Sequence, residues 1–252
     1  MGITAWVRRD PPGTPVPAEP ESAVPAEPEA APPEGASAPS QAWMTATGEA
    51  ASEVAVEPAD GAGGSDIAAM EWAELASAVR DCTRCPLHET RTQGVFGVGN
   101  RRADLLIIGE APGAEEDRRG EPFVGRAGGL LDVMLNAIGL DRGTVYITNI
   151  LKSRPPDNRD PKAEEVAACE PFLRRQIELI EPRAILAVGR VAAQNLLGTS
   201  QALGKLRGRW HQYGPQATPV RVSYHPAYLL RRPQDKRKAW QDLKLVRAAI
   251  GQ

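Results

Sequence analysis

Gly109-Glu110-Ala111-Pro112-Gly113 follows a short apolar run, Leu105-Leu106-Ile107-Ile108, and runs on through Gly120-Glu121-Pro122-Phe123-Val124-Gly125-Arg126-Ala127-Gly128. Beyond it stands Leu130-Leu131-Asp132-Val133-Met134-Leu135. The first apolar run reads as a buried strand, and the Leu-rich segment reads as a helix. A strand that ends in a Gly/Pro-rich loop and passes into a helix is where open α/β sheets keep their ligand sites. Glycine lets the backbone come close to a ligand and turn its N–H groups outward. The loop lacks the dinucleotide pattern Gly-x-Gly-x-x-Gly, and no Gly-Lys-Ser/Thr closes it as in a P-loop. It suits a flat, polar ligand of another kind.

Downstream, Val145-Tyr146-Ile147-Thr148-Asn149 predicts a second strand, ending in a polar residue. A long loop, Lys152-Ser153-Arg154-Pro155-Pro156-Asp157-Asn158-Arg159-Asp160-Pro161, then leads to a helix over residues 162–180. Ala184-Ile185-Leu186-Ala187-Val188 predicts a third strand, turning at Gly189 into a helix over residues 190–197. Val220-Arg221-Val222-Ser223 predicts a fourth, ending in Tyr224-His225-Pro226-Ala227, and an amphipathic helix with Trp240, Leu243 and Val246 closes the chain. Upstream, Ser65-Asp66 predicts the N-cap of a helix carrying Ile67, Met70, Trp72, Leu75 and Val79, which runs into Asp81-Cys82-Thr83-Arg84-Cys85-Pro86. Strands alternating with helices place the chain in the α/β class, as a three-layer α/β/α domain with a central four-stranded parallel sheet.

The charge is divided along the chain. Residues 1–64 hold two basic and ten acidic residues, whereas the remainder holds 28 Lys+Arg and 22 Asp+Glu. The N-terminal part is Pro, Ala, Glu, Ser and Gly with few bulky apolar residues, so it is expected to be a disordered acidic tail over residues 1–64. Residues 65–252 form the expected folded domain. Ile3, Trp6 and Val7 beside Arg8-Arg9 allow residues 1–9 to be a frayed end or a short docking peptide for a protein partner. A basic body suits a phosphate-bearing partner. No stretch has membrane-spanning length, and the start lacks a signal-peptide core. Three cysteines with one Cys-x-x-Cys are not a secreted disulfide framework. A cytoplasmic monomer without a membrane partner is expected.

Glu110, Asn149 and His225 each fall at or just past the C-terminal end of a predicted strand, while Phe123 and Asn158 fall in the loops that follow. In a parallel sheet those ends share one edge and converge on one pocket. An Asn offers a donor and an acceptor to a carbonyl and its neighbouring imide N–H. A Phe covers a planar ring, and a His donates to an oxygen that gains negative charge. Singly, Asn149 reads equally as a cap, Phe123 as loop packing and His225 as a structural histidine. Together they suit a pyrimidine base held by edge and face.

These residues closely resemble the motifs of the family 4, iron–sulfur uracil-DNA glycosylases. The motifs are Gly-Glu-Ala/Gly-Pro-Gly (Gly109–Gly113), Pro-Phe-Val-Gly-x-x-Gly (Pro122–Gly128), Tyr/Phe-Ile-Thr-Asn (Tyr146–Asn149), the Pro-Pro-x-Asn-Arg loop ending at Arg159, and His-Pro-Ala (His225–Ala227). The resemblance implies a monofunctional glycosylase that flips uracil out of DNA and hydrolyses its N-glycosidic bond, initiating base excision repair. Asn149 would recognise the uracil edge and Phe123 would stack on the ring. The backbone at Glu110 and Ala111 would approach the base, and His225 would stabilise the departing anion through O2. Better-known members of the superfamily place a water-positioning Asp where this chain has Ala111, so Asn158 or Glu110 is expected to take that part. Arg126, Arg154, Arg159 and Arg231 are the expected DNA contacts, with Arg118, Arg119 and Arg232 nearby. Tyr228-Leu229-Leu230 reads either as an apolar wedge into the gap left by the base or as helix core.

The resemblance also implies a 4Fe–4S cluster on four cysteines. Cys82, Cys85 and Cys169 match three of them, and Ser153 stands at the fourth position. A serine ligand, an open iron, a zinc ion and His88 as a substitute are the alternatives this departure raises. A reading from another class is a non-catalytic DNA-binding or polymerase-associated module on the same fold.

Overall fold

The computed structural model describes residues 67–251. The residues expected to form an acidic tail, those at 1–9 read as a frayed end or a docking peptide, and the cap predicted at Ser65-Asp66 lie outside the described residues.

Helix α1 (Trp72–Arg80) starts later than the sequence predicts, at Glu71, whose backbone N–H is bonded by the Glu74 carboxylate in a capping box. Strand β1 (Val98–Gly99) and strand β2 (Leu105–Gly109) follow, then the short helix α2 (Ala114–Arg119) and helix α3 (Arg126–Asn136). Strand β3 (Tyr146–Asn149) leads to helix α4 (Ala163–Ile180), and strand β4 (Ala184–Val188) to helix α5 (Arg190–Leu196). Helix α6 (Leu203–Leu206), strands β5 (Trp210–Tyr213) and β6 (Thr218–Ser223), and helices α7 (Pro226–Arg231) and α8 (Lys236–Ala249) complete the order.

The strands lie in the order β1-β3-β2-β4-β6-β5. The expected four-stranded parallel centre is present as β3-β2-β4-β6. The sheet itself is wider than four strands, because β1 and β5 add antiparallel edges. Both edges escape a hydrophobic-pattern reading. One is two residues long, and the other alternates exposed and half-buried residues along Trp210–Tyr213.

Alternation along β2 divides the core between two faces. Leu106 and Ile108 pack with Cys169, Leu173 and Ile177 of α4 and with Ala192 and Leu196 of α5. Leu105 and Ile107 pack with Leu131 and Leu135 of α3 and with Leu243 and Val246 of α8. These are the two helical layers of an α/β/α domain. A satellite cluster of Ile67, Leu75, Val79 and Phe172 seats α1 against α4. The chain runs outward from β2 to β3 and then returns to build β4 and β6 on the other side. The sheet therefore has its topological switch between β2 and β4, and a crevice is expected at their C-terminal ends.

Candidate active site

A cavity of about 470 Å³ opens at that edge. Its wall includes Glu110, Ala111, Pro112 and Gly113 after β2, Phe123 and Ala127 at the start of α3, Asn149 at the end of β3, Asn158 and Arg159, His225 and Ala227 at the start of α7, and Arg231 at its end. All six residues expected to recognise or transform the base, namely Glu110, Ala111, Phe123, Asn149, Asn158 and His225, share this one wall.

Asn149 is buried, and its Oδ1 has no hydrogen-bond partner. A buried acceptor left unpaired costs about 1–3 kcal/mol, so an N–H group brought by a ligand is the natural remedy. The space before it exists because residue 109 is glycine: a Cβ there would come within 2.4 Å of Asn149 Oδ1 and 2.7 Å of Phe123 Cζ.

Phe123 adopts the left-handed region, with φ of 55°, a conformation costly for a non-glycine residue. Two devices hold it there. Glu116 accepts from Gly113 N, Val124 N and Gly125 N, each at 3.1 Å, and so ties the two halves of the Gly-rich stretch together. Arg142 donates to Pro122 O at 2.7 Å and Phe123 O at 3.1 Å, while its other hydrogens reach Glu121 and Asp132. Neither device is legible in the sequence, since both depend on residues distant in sequence or on an unremarkable loop. The Phe123 ring lies 5.5 Å from the His225 ring.

His225 caps α7: its Nδ1 accepts the Ala227 N–H at 3.2 Å. Burial, and after it the Arg231 guanidinium, pulls the imidazolium down to about 4. The ring is therefore neutral at pH 7 and carries its proton on Nε2, the nitrogen left to serve the cavity. Glu110 is shifted the opposite way. Burial and then the nearby Asp160 push its carboxyl up to about 6, against the opposing pull of Arg190. It is mostly a carboxylate at neutral pH and close enough to neutrality to exchange a proton.

The remaining candidates divide. Asn158 has its amide oxygen taken by Arg154 Nε at 2.8 Å. Arg159 lines the cavity but forks onto the buried Glu165 carboxylate, so much of its charge is already matched. Arg126 is exposed at the first turn of α3, and Arg231 is exposed at the cavity rim. Leu229 is fully buried core, which removes it as a wedge, whereas Leu230 is exposed. Arg190, missed in the sequence, enters the edge through its 2.6 Å pair with Asp160.

Cys82, Cys85 and Cys169 are free thiols. Burial pushes the Cys169 thiol up to about 11 and raises that of Cys85 as well. Among the described residues, no three His, Cys, Asp or Glu side chains gather closely enough to hold one metal ion. Ser153 is buried, and its Oγ accepts from Arg91 Nη1 at 2.8 Å. The same guanidinium donates to the carbonyls of Val79, Arg80 and Cys82. His88 Nδ1 is turned to Cys85 O at 2.8 Å. Three thiols, with a hydroxyl already engaged by a cation, do not fit a four-thiolate cluster.

The carboxyl edge of the parallel sheet thus holds a cavity bordered by a neutral histidine, an unpartnered asparagine oxygen and an aromatic ring, a setting that suits a flat polar ligand. The family model described as the uracil DNA glycosylase superfamily matches residues 96–244, and the chain belongs to that superfamily. Within it, the likeness is to the type-4 group. The chain is 43% identical over 184 residues to the type-4 uracil-DNA glycosylase of Archaeoglobus fulgidus, an alignment covering 71% of this chain and 92% of that one. It is 41% identical over 181 residues to the type-4 uracil-DNA glycosylase of Thermotoga maritima, covering 70% and 93%. A type-5 uracil-DNA glycosylase of Pyrobaculum aerophilum is 36% identical over 151 residues, covering 52% and 64%.

Proposed function

We infer that this chain is a uracil-DNA glycosylase, which binds uracil flipped from DNA and hydrolyses the bond between C1′ and N1. The observation that carries the reading is the unpartnered Asn149 Oδ1 in a wall shared with Phe123 and His225. Uracil presents an N3–H between two carbonyl oxygens. Asn149 Oδ1 accepts that N3–H while its amide nitrogen donates to the adjacent O4. Thymine differs from uracil only by a methyl group, so the edge contacts fix the class of base and the shape of the Gly-rich wall refines it.

When the glycosidic bond breaks, the bonding pair leaves with uracil as an anion delocalised over N1 and O2, and the sugar becomes cationic. His225 Nε2–H donates to O2 as the charge develops, and a neutral imidazole gives this bond without first releasing a proton. Glu110, as a carboxylate, orients water towards C1′ and takes its proton when the new C–O bond forms. Of the two expected water-positioning groups, Glu110 is favoured, because the Asn158 oxygen is committed to Arg154. Ala111 adds shape and no acid. The iron–sulfur cluster implied by the type-4 resemblance would have three thiolates, Cys82, Cys85 and Cys169. None of the three lines the cavity, so no step passes through them.

Arg126, Arg154 and Arg231 are the proposed phosphate contacts around the flipped nucleotide, with Arg159 acting through its Glu165-anchored fork. Among the described residues no helix is long and apolar enough to cross a membrane. The non-catalytic alternative is not favoured by relatives that carry a glycosylase name at this level of identity. The test is release of uracil from a uracil-containing oligonucleotide, read as strand cleavage after alkali.

A further inference from the structure

Lys152 is a buried amine-bearing residue with no part in the reaction derived above. It is 1% exposed, and its Nζ meets three neutral oxygens: Thr148 Oγ1 at 2.6 Å, Gln176 Oε1 at 2.6 Å and the main-chain carbonyl of Asn149 at 2.8 Å. Gln176 Nε2 and Thr148 Oγ1 both donate to Phe96 O, each at 2.9 Å. With that proton spent, Thr148 Oγ1 is an acceptor for the lysine, and so is Gln176 Oε1. Every donor of the buried amine is therefore used.

Burying an amine without a carboxylate is costly, and a methionine of similar length would fill the space without that cost. What the lysine adds is position. Its Nζ holds the Asn149 carbonyl, while the next two N–H groups, of Ile150 and Leu151, donate to Gly109 O at 2.9 Å and Glu110 O at 3.0 Å. One turn thus joins the end of β3 to the Gly-rich loop, and Asn149 Oδ1 stays unpartnered beside it.

We propose that Lys152 is a positioning residue for base recognition, acting through Asn149. This rests on the reading of the cavity as a uracil pocket. Asn149 is useful only if its carboxamide plane meets the uracil edge squarely, and a misplacement of about 1 Å at such a contact is expensive. The Lys152 clamp fixes the peptide from which that side chain springs.

The test compares wild type with Lys152→Met and Thr148→Val in three readouts: inhibition by free uracil and by 3-methyluracil, affinity for an abasic-site duplex, and thermal midpoint. Wild type is expected to prefer uracil, since 3-methyluracil has no N3–H for Asn149. Lys152→Met is expected to weaken inhibition by uracil about tenfold, the loss of one well-placed hydrogen bond. Inhibition by 3-methyluracil and affinity for the abasic duplex should stay within about twofold, so the ratio between the two pyrimidines moves towards one. Thr148→Val removes one of the three acceptors and should move the ratio in the same direction by about threefold. An unchanged ratio overturns the proposal even if the thermal midpoints fall, because that is the signature of a merely structural lysine. If Lys152→Met does not fold, Thr148→Val alone decides. A wild type that excises uracil beside variants of unaltered ratio removes only the role of Lys152. A wild type that neither excises uracil nor prefers it overturns the uracil pocket and this role together.

Discussion

In the proposed reaction His225 presents a proton-bearing nitrogen to an oxygen becoming anionic, and its surroundings suit that part. The Ala227 N–H occupies Nδ1, and burial holds the ring neutral down to about pH 4. Glu110 is tuned oppositely, to about 6. Its raised value means that the carboxylate is the major form above pH 6 and is lost as pH falls through that point. Single-turnover excision by wild type is therefore expected to decline on the acid side of about pH 6, while His225 stays neutral over the same window. Glu110→Gln is expected to be slower by about a hundredfold at neutral pH and to lack that acid limb. Asn158→Ala should keep the wild-type profile. An acid limb that persists in Glu110→Gln would assign it to another group. At this scale the sequence was informative for residues whose chemistry is visible in their type. The pattern alone places Glu110, Asn149 and His225 at strand ends and Phe123 in a loop that follows. Lys152 and Arg142 were passed over because a Lys or Arg reads as surface until its partners are known, and those partners come from other elements.

Among the elements, the four apolar strands announce themselves by β-branched and leucine runs, and the cavity opens at their C-terminal edge. Helix α2 does not announce itself, because Ala114–Arg119 is almost wholly charged and has no apolar stripe to read. Its importance lies in Glu116, which stitches Gly113 to Val124 and Gly125. The loop so formed places Phe123, with Arg142 drawing its carbonyls from the opposite side. Gly128 completes the arrangement, since a Cβ there would lie 1.6 Å from Phe123 O. Arg142→Ala is expected to free the strained Phe123 backbone and raise KM for uracil-containing DNA about fivefold to tenfold, with a smaller change in kcat. Arg142→Lys, which keeps the charge and loses the fork, should fall between the two. Steady-state kinetics on one oligonucleotide checks this, and an unchanged KM in both variants would show that Phe123 needs no support from Arg142.

At the scale of the whole molecule, the superfamily fold carries three free cysteines, where the type-4 resemblance implies four. Ser153 lies where a fourth thiolate is implied, and Arg91 holds its hydroxyl together with the backbone of the Cys82 turn. The link between that turn and the start of the 152–161 loop is thus already made by a guanidinium. Ser153→Cys is expected to raise iron and acid-labile sulfide per chain above wild type in anaerobic preparations, with excision changed by less than about twofold. A wild type already carrying four irons per chain, and no more in the variant, would show that three thiolates suffice.

The identity of the base that fills the cavity turns on Asn149. Wild type and Asn149→Ala would be mixed in excess with a single-stranded oligonucleotide carrying one uracil, and strand cleavage after alkali followed with time. Wild type is expected to yield a single break at the uracil, and Asn149→Ala to be slower by about a hundredfold or more while binding an abasic-site duplex as tightly as wild type. No alkali-sensitive site with wild type, or equal rates for the two proteins, would contradict a uracil pocket built around Asn149.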